Sequence, residues 1–249
     1  LAAAILRITN SAAFGSLRKI TTIDQAIMML GFKSIRNIAL GVGVFNLFPP
    51  GEKEFLSKVW QRSLVTGLAA RDLCILVGDR RKEDAFTIGL LHDIGLVAFY
   101  GYDKSKAANL LSRAEEEGRI QLIDEKNYMG LDHIEVGRLL AERWKLPEEI
   151  IHIMVQHHQE PIRKTPDNNN NGKLPEIIYL ASLVGDIFYL GKKSESIKRF
   201  NEGCKGLLGI SADDGDNLLK QIHPQLMEVA AYFDIAVGSG NTYDDIMAK

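Results

Sequence analysis

Three places in this 249-residue sequence combine a histidine with an acidic residue or with a second histidine. They are His92-Asp93, Asp132-His133 and His157-His158. Imidazole and carboxylate ligands together suit Fe, Mn, Zn or Ni better than Ca. A metal ion on such ligands polarises a phosphoryl oxygen and lowers the pKa of a bound water. The chemistry that these residues would support is therefore metal-dependent attack on a phosphate ester.

The pair His92-Asp93 lies inside an apolar run, Gly-Leu-Leu-His-Asp-Ile-Gly at positions 89–95. Burying two such polar groups is costly unless they are paired or bind a metal. Adjacent helix residues point about 100° apart, so both reach one ion only from a wide concave site or at a helix bend, which a flanking glycine permits. A buried hydrogen bond between the two side chains explains the same pattern, and both interpretations stay open on this stretch alone.

The other histidines also have plain structural interpretations. His133 would belong to the capping region of a helix, and His157-His158 would form a polar helix end. His152 is expected on a helix surface, and His223 precedes a proline at a turn or kink. Taken singly, each of these residues favours a structural role.

The elements that position these residues are predicted to be helices, because almost nothing in the sequence alternates with a period of two. Apolar residues recur mostly at three- and four-residue steps, as in a long helix predicted from about Lys53 to Val77. Asp132 is predicted to cap the helix of His133, and one helix is predicted to carry His92-Asp93. Residues 160–173, rich in proline and asparagine, are predicted to form a loop. The predicted fold class is all-α, with roughly ten to thirteen helices.

Composition argues against several classes of function. The formal net charge is −2, so no bulk basic field favours nucleic acid. Cys74 and Cys204 give neither a disulfide framework nor a CxxC metal pattern, which favours a reducing, cytoplasmic compartment. No apolar run approaches the roughly 20 residues that span a bilayer, so no membrane is expected as a partner. No secretory leader is visible, and the start at Leu1 without a methionine leaves room for upstream sequence.

Several short motifs follow one another in a recognisable order. They are residues 89–95, Asp132-His133 with Glu135-Val136-Gly137, Trp144-Lys145-Leu146-Pro147 and His157-His158, preceded by Asn10-Ser11, Ala26-Ile27, Leu30-Gly31 and Arg36-Asn37. The ordered set resembles the HD superfamily, specifically the HD-related output domain (HDOD), over most of residues 1–190. The resemblance implies an all-helical fold found in bacterial signalling proteins. It further implies an N-terminal helical lobe at 1–50, an HD-like core at 51–192 and C-terminal helices at 193–249.

Catalytic HD relatives are metal-dependent phosphohydrolases, including cyclic di-GMP phosphodiesterases of the HD-GYP type. Their motif uses an early histidine, the His-Asp pair, a lysine shortly after it, further histidines and a late aspartate. In this sequence the early histidine, the lysine and the late aspartate correspond to Arg62, Leu96 and Ser182. A guanidinium stays protonated and donates no lone pair to a metal, and serine is a poor ligand at neutral pH. Asp186, one helical turn beyond Ser182, is a weak substitute for the late aspartate.

The resemblance therefore implies a degenerate metal site. The ligands that remain for a residual Fe, Mn, Ni or Zn ion are His92, Asp93, His133, His157 and His158. Arg62 is expected either to pair with Asp93 in the vacated space or to hold a phosphate.

Three hypotheses follow for the function. The first is a non-catalytic, regulatory signalling module that acts through helix packing and protein–protein interaction. The second is a metal-dependent phosphohydrolase for a nucleotide or cyclic dinucleotide, against which Arg62 and Ser182 argue. The third is a domain that binds a phosphate ligand on Arg62. A ligand that prefers the folded state raises thermal stability, which would separate the third hypothesis from the first.

Overall fold

The structure is a computed structural model that describes residues 2–11, 19–47, 54–161, 172–231, 235, 237 and 242–247. Within these ranges every regular element is helical, so the predicted all-α fold class is confirmed. The helices are α1 (Ala2–Thr9), α2 (Ile23–Leu30), α3 (Phe32–Leu47), α4 (Glu54–Val77), α5 (Lys82–Leu91), α6 (Ile94–Tyr102), α7 (Lys104–Glu117), α8 (Leu122–Met129), α9 (His133–Arg143), α10 (Glu148–Met154), α11 (Leu174–Tyr189), α12 (Lys193–Gly203), α13 (Ala212–Ala230) and α14 (Tyr243–Met247). One π-helical turn, Cys204–Leu208, lies between α12 and α13.

Helix α4 lies at the centre of the molecule. Its side chains are buried in an unbroken series from Val59 to Arg71, and not along one stripe. The reason is that α5, α11 and α13 all pack against it. Arg62 lies within this enclosed part of α4.

The helix predicted to carry His92 and Asp93 is broken at that pair, which corrects the prediction of one continuous helix. Helix α5 ends at Leu91 and α6 begins at Ile94. Asp93 has φ −101° and ψ 16°, which departs from the α-helical region. Of the two geometries that would let both side chains reach one site, the observed one is therefore a helix bend.

A capping box fixes the start of α9. The Asp132 side chain accepts a hydrogen bond from the backbone N–H of Glu135, and the Glu135 side chain accepts one from the backbone N–H of Asp132. An N-cap of this kind stabilises a helix by about 1 kcal/mol. His133 is therefore the first residue of α9, as its interpretation in the capping region requires.

Helices α5 and α6 together form the stretch Lys82–Tyr102, which is long and apolar enough to cross a membrane by length and composition. No apolar run of this length is expected from the sequence. In the structure 83% of its most apolar window is buried against the rest of the protein. That burial accounts for the composition, because core helices that are enclosed on all sides are apolar all round.

Most of the predicted loop at 160–173 lies outside the described residues. The predicted division of the chain after residues 50 and 192 stays a prediction. Helix α13, from the C-terminal part, packs on α4 and contributes to the same hydrophobic core.

Candidate metal centre

Several elements bring the predicted site residues to one place in the core. The contributing segments are α4 (Arg62), the α5–α6 turn (His92, Asp93), α9 (His133), the residues after α10 (His157, His158) and α11 (Ser182, Asp186). All of these residues are buried except His158, which is half-buried. The exception among the predicted positions is Leu96, which lies on α6 and lines a different cavity.

Hydrogen bonds to backbone carbonyls determine which ring nitrogen carries the proton in two histidines. Nδ1 of His92 lies 2.6 Å from the carbonyl oxygen of Gly89, and Nδ1 of His157 lies 2.7 Å from that of Met154. A carbonyl oxygen only accepts, so Nδ1–H donates in both rings. In the neutral rings the lone pair is therefore on Nε2.

Glu125 holds His133 in the corresponding orientation. Its Oε2 lies 2.7 Å from Nδ1 and 2.8 Å from the backbone N of His133, and both N–H groups donate to it. A carboxylate behind the ring is a common support for a metal-binding histidine. Glu125 is not among the site residues predicted from the sequence. The contact joins α8 to α9, and no spacing within either helix predicts it.

Four side chains bring one ligand atom each into a small group. They are Asp93, His133, His157 and His158, and the four atoms lie within 4.8 Å of one another. Nε2 of His133 lies 3.3 Å from Nε2 of His157 and 3.2 Å from Nε2 of His158. Oδ1 of Asp93 lies 3.5 Å from Nε2 of both His133 and His157.

These separations fit a metal ion. Two atoms that each lie about 2.1 Å from a tetrahedral ion are about 3.4 Å apart. When both rings are neutral, Nε2 of His133 and Nε2 of His157 carry lone pairs, so they do not hydrogen-bond each other. Oδ1 of Asp93 is buried without a hydrogen-bond partner. Electron-pair donors that face one another in a buried site are stabilised by a cation. The residues present therefore fit the metal ion that the HD resemblance implies.

Arg62 occupies the other side of Asp93. Its Nη1 forms an ion pair with Oδ2 of Asp93 and lies 3.2 Å from Nε2 of His92. Its Nε and Nη2 lie 3.2 and 2.8 Å from Oδ1 of Asp186. Of the two expectations for Arg62, the structure shows the ion pair with Asp93. Each guanidinium nitrogen contacts a protein acceptor and the residue is 2% exposed, which does not favour the capture of a phosphate.

His92 lies outside the four-residue group, although the sequence analysis includes it among the ligands. Its Nε2 faces the guanidinium of Arg62, which donates to the lone pair that a metal would need. The substitution at position 62 therefore removes two ligands from the motif. One is the early histidine that Arg62 replaces, and the other is His92.

Ser182 and Asp186 on α11 also contribute no ligand atom to the four-residue group. Oγ of Ser182 lies 2.8 Å from the carbonyl oxygen of Tyr179 and 3.2 Å from that of His157, so its hydroxyl is directed to the backbone. Asp186 is held by Arg62. Ser182 thus contacts the backbone of a candidate ligand, and Asp186 balances the charge of Arg62.

The sequence profile of the HDOD domain matches residues 1–160. The chain belongs to the HDOD family. An uncharacterized protein of Treponema pallidum (strain Nichols) is 28% identical over 158 residues, which are 63% of this HDOD chain and 31% of that protein. The chain therefore spans about a third of the length of that relative.

Solved structures share the HDOD fold. A candidate phosphohydrolase from Shewanella amazonensis SB2B matches 93% of this chain and 82% of its own, with a TM-score of 0.67 and 25% identity. An HDOD domain protein of unknown function from Geobacter sulfurreducens matches 94% of this chain and 80% of its own, with a TM-score of 0.64 and 22% identity. The predicted family and the HD-like fold are confirmed.

Burial keeps several imidazoles of this HDOD domain neutral. It lowers the pKa of His157 to about 3, and the neighbouring His133 and Arg62 add to the effect. Burial likewise lowers the pKa of His92 and of His158 well below 6.5. The neutral ring is the form that binds a metal. Burial also raises the pKa of Asp186, although the ion pair with Arg62 opposes this change.

We expect the free energy of unfolding of the metal-free protein to fall as the pH falls from about 6.5 toward 3. An unfolded histidine takes up a proton near pH 6.5, whereas folded His157, with a pKa of about 3, does not. The unfolded state then binds more protons, so stability rises with pH in this window, by up to about 1.4 kcal/mol per pH unit for each such histidine. Urea unfolding between about pH 7 and pH 5 measures the slope. His157→Asn should flatten it, and the exposed His152→Asn should not; equal slopes in the two variants would contradict the expectation.

Gly95 allows α6 to approach the first turn of α9. A Cβ atom at this position would overlap the backbone carbonyl group of His133. Backbone atoms do not move aside as a flexible side chain does, so a larger residue would push the two helices apart. The close approach of Asp93 to His133 therefore depends on a glycine at position 95.

Gly95→Ala is expected to lower the free energy of unfolding by about 1–3 kcal/mol, because it overpacks the contact between α6 and α9. The matched control is Gly43→Ala on α3, where a Cβ would meet nothing within 4 Å. That control should be neutral or stabilising by up to about 1 kcal/mol, since alanine favours the helix interior. Urea denaturation of both variants measures the difference, and similar changes in the two would show that the contact is not tight.

Proposed function

We propose that the chain is a non-catalytic, regulatory HDOD module of bacterial signal transduction that acts through protein–protein interaction. The observation that carries the proposal is the buried guanidinium of Arg62, which pairs with both Asp93 and Asp186. A fixed cation thus stands where the catalytic HD motif has a metal-binding histidine. This cation repels a second metal ion, and it pairs with the side chains that would bind one.

The proposal includes one divalent transition-metal ion, Fe, Mn, Ni or Zn, held by the group of four residues. Charge balance supports it. Three carboxylates, Asp93, Glu125 and Asp186, and one guanidinium, that of Arg62, are buried at the centre, and burial lowers the pKa of His92, His157 and His158. The buried carboxylates outnumber the guanidinium, and a divalent ion would offset their charge.

A bound ion would serve mainly to cross-link the fold. Its ligands come from the α5–α6 turn, from α9 and from the residues after α10, so it would join three segments that are separate in sequence. For a tetrahedral ion such as Zn²⁺, four protein ligands close the coordination shell, as in structural sites. The proposed location is the cytoplasm, and the proposed partners are signalling proteins.

A metal-dependent phosphohydrolase is the second candidate. The observation that favours it is the group of Asp93, His133, His157 and His158, together with the likeness to the candidate phosphohydrolase from Shewanella amazonensis. An ion with a higher coordination number, such as Mn²⁺, would keep positions open for water and would lower the pKa of that water. The substrate would then be a nucleotide or a cyclic dinucleotide.

Hydrolysis assays test the choice between the two functions. Protein loaded in turn with Mn, Fe, Ni and Zn is incubated with phosphomonoesters, phosphodiesters and cyclic dinucleotides. A regulatory module should give rates no higher than those of His157→Ala, which lacks a candidate ligand. Turnover that is lost in His157→Ala and retained in the exposed variant His152→Ala would overturn the proposal and establish the hydrolase.

A further inference from the structure

The protein does not hold the four candidate ligands of the metal centre equally firmly. Three of them have a partner on the side that faces away from the group. The three pairs are Glu125 with Nδ1 of His133, the carbonyl oxygen of Met154 with Nδ1 of His157, and Arg62 with Oδ2 of Asp93. Partners of this kind fix the orientation of a ligand, and losing one costs about 10–100-fold in metal affinity.

His158 is the fourth ligand, and it lacks such a partner. Its Nε2 lies 3.2 Å from Nε2 of His133, and its ring packs against that of His157 with 4.2 Å between the ring centroids. Among the residues that the structure describes, none forms a hydrogen bond with Nδ1 of His158. The protein therefore orients His158 less firmly than the other three ligands.

His158 is also the ligand that reaches the solvent. Asp93 and His133 are 0% exposed and His157 is 1% exposed, whereas His158 is half-buried. A ring at the surface turns outward without leaving a polar group stranded in the core. A small molecule that enters from solution therefore meets the centre on the side of His158.

The three buried ligands form a sufficient set without His158. The ligand atoms of Asp93, His133 and His157 lie 3.3–3.5 Å from one another. Two histidines and one carboxylate hold zinc or iron in protein sites that keep a position open for an external ligand. Loss of His158 from the coordination shell thus leaves a set of ligands that still binds an ion.

We propose that His158 is a displaceable ligand and that a small electron-pair donor from solution, no larger than an imidazole ring, takes its place. The bond between the ion and Nε2 of His158 breaks, and the ring keeps its lone pair. A lone pair of the incoming donor forms the new bond, so the exchange needs no oxidant, reductant or proton. The proposal rests on the divalent ion of the proposed function, and it gives the regulatory module an input signal.

Displacement of His158 changes the contact between two segments. His158 follows α10, and its Nε2 meets that of His133, the first residue of α9. When the ring turns toward solvent, His157 is the remaining link between the residues after α10 and the ion. Exchange at the ion thus becomes a change at the protein surface, where a signalling partner can detect it.

The protein loaded with Co²⁺ tests the proposal, with imidazole and pyrrole as matched probes. The two rings have the same size, but the pyrrole nitrogen resembles that of indole, which donates a hydrogen bond and offers no lone pair. Saturating imidazole should change the visible absorption spectrum of the bound Co²⁺, and pyrrole should leave it unchanged. The apparent affinity for imidazole should be low, because imidazole competes with a ring that is tethered to the site.

His158→Ala removes the tethered competitor. This variant should retain its Co²⁺ and should bind imidazole at least about tenfold more tightly than the unaltered protein. Saturating imidazole should then restore the spectrum of the unaltered protein, because it supplies the ring that the variant lacks. The matched controls are the exposed His152→Ala, which should bind imidazole as the unaltered protein does, and His157→Ala, which should lose the Co²⁺.

Several results would overturn the proposal. His158→Ala that loses Co²⁺ as completely as His157→Ala would show that His158 is indispensable. A spectrum of the unaltered protein that saturating imidazole leaves unchanged, or that pyrrole changes equally, would show a closed site; this titration needs no variant to fold. Protein that binds no Co²⁺ would also overturn it. None of these measurements involves a phosphate ester, so a closed site would leave the proposed regulatory function standing.

Discussion

Replacing Arg62 with methionine is expected to lower the free energy of unfolding by about 3–5 kcal/mol, because it leaves two buried carboxylates without their cation. Asp93 is fully buried, and Asp186 is 7% exposed. In the variant the pKa of Asp186, which burial already raises, should rise further. Urea denaturation at neutral pH measures the loss.

The pH dependence of the same variant distinguishes lost charge pairing from lost packing. A carboxyl group whose folded pKa is raised binds more protons in the folded state, so its destabilising effect disappears as the pH falls through that pKa. Arg62→Met should therefore recover part of its deficit in acid. The matched control is Arg81→Met, which removes a partly exposed ion pair with Asp79 and should cost at most about 1 kcal/mol. A similar loss in the two variants would contradict the account of Arg62.

Purified protein is expected to contain close to one transition-metal ion per chain, and His157→Ala is expected to lose it. The reason is that His157 supplies one of only four ligand atoms in the group. Glu125→Gln should weaken metal binding by about 10–100-fold, because Glu125 supports His133 without being a ligand. Elemental mass spectrometry on protein prepared without chelator measures the content, and competition with a chelator measures the affinity.

His92 provides the sharper control in this experiment. It belongs to the His-Asp motif, but its Nε2 faces Arg62, so His92→Ala should retain the metal while His157→Ala does not. Exposed His152→Ala should behave as the unaltered protein. If His92→Ala lost the metal as well, His92 would be a ligand, as the HD motif predicts. Metal-free protein that stays folded would remove the ion from the proposed function.

The sequence predicted the helical fold because its signals are local. Apolar residues at three- and four-residue steps predict α4, and the side chain of Asp132 caps α9 at the expected place. The break between α5 and α6 has a weaker signal. No proline marks it, and the flanking glycines permit a helix bend at His92-Asp93 without requiring one.

The candidate site, too, was predicted from the sequence in part and determined by the tertiary structure in part. The residue types and their order were enough to identify the HDOD family and to name His92, Asp93, His133, His157 and His158 as candidate ligands, four of which lie in one group. The packing of the helices decided which of these residues can bind the same ion. It also decided that Arg62 separates His92 from the other four. The pair of Arg62 with Asp186 spans 124 residues of sequence, and the contact of Glu125 with His133 joins two helices. Such contacts depend on how whole helices cross, because a spacing along the chain predicts neighbours only within one helix.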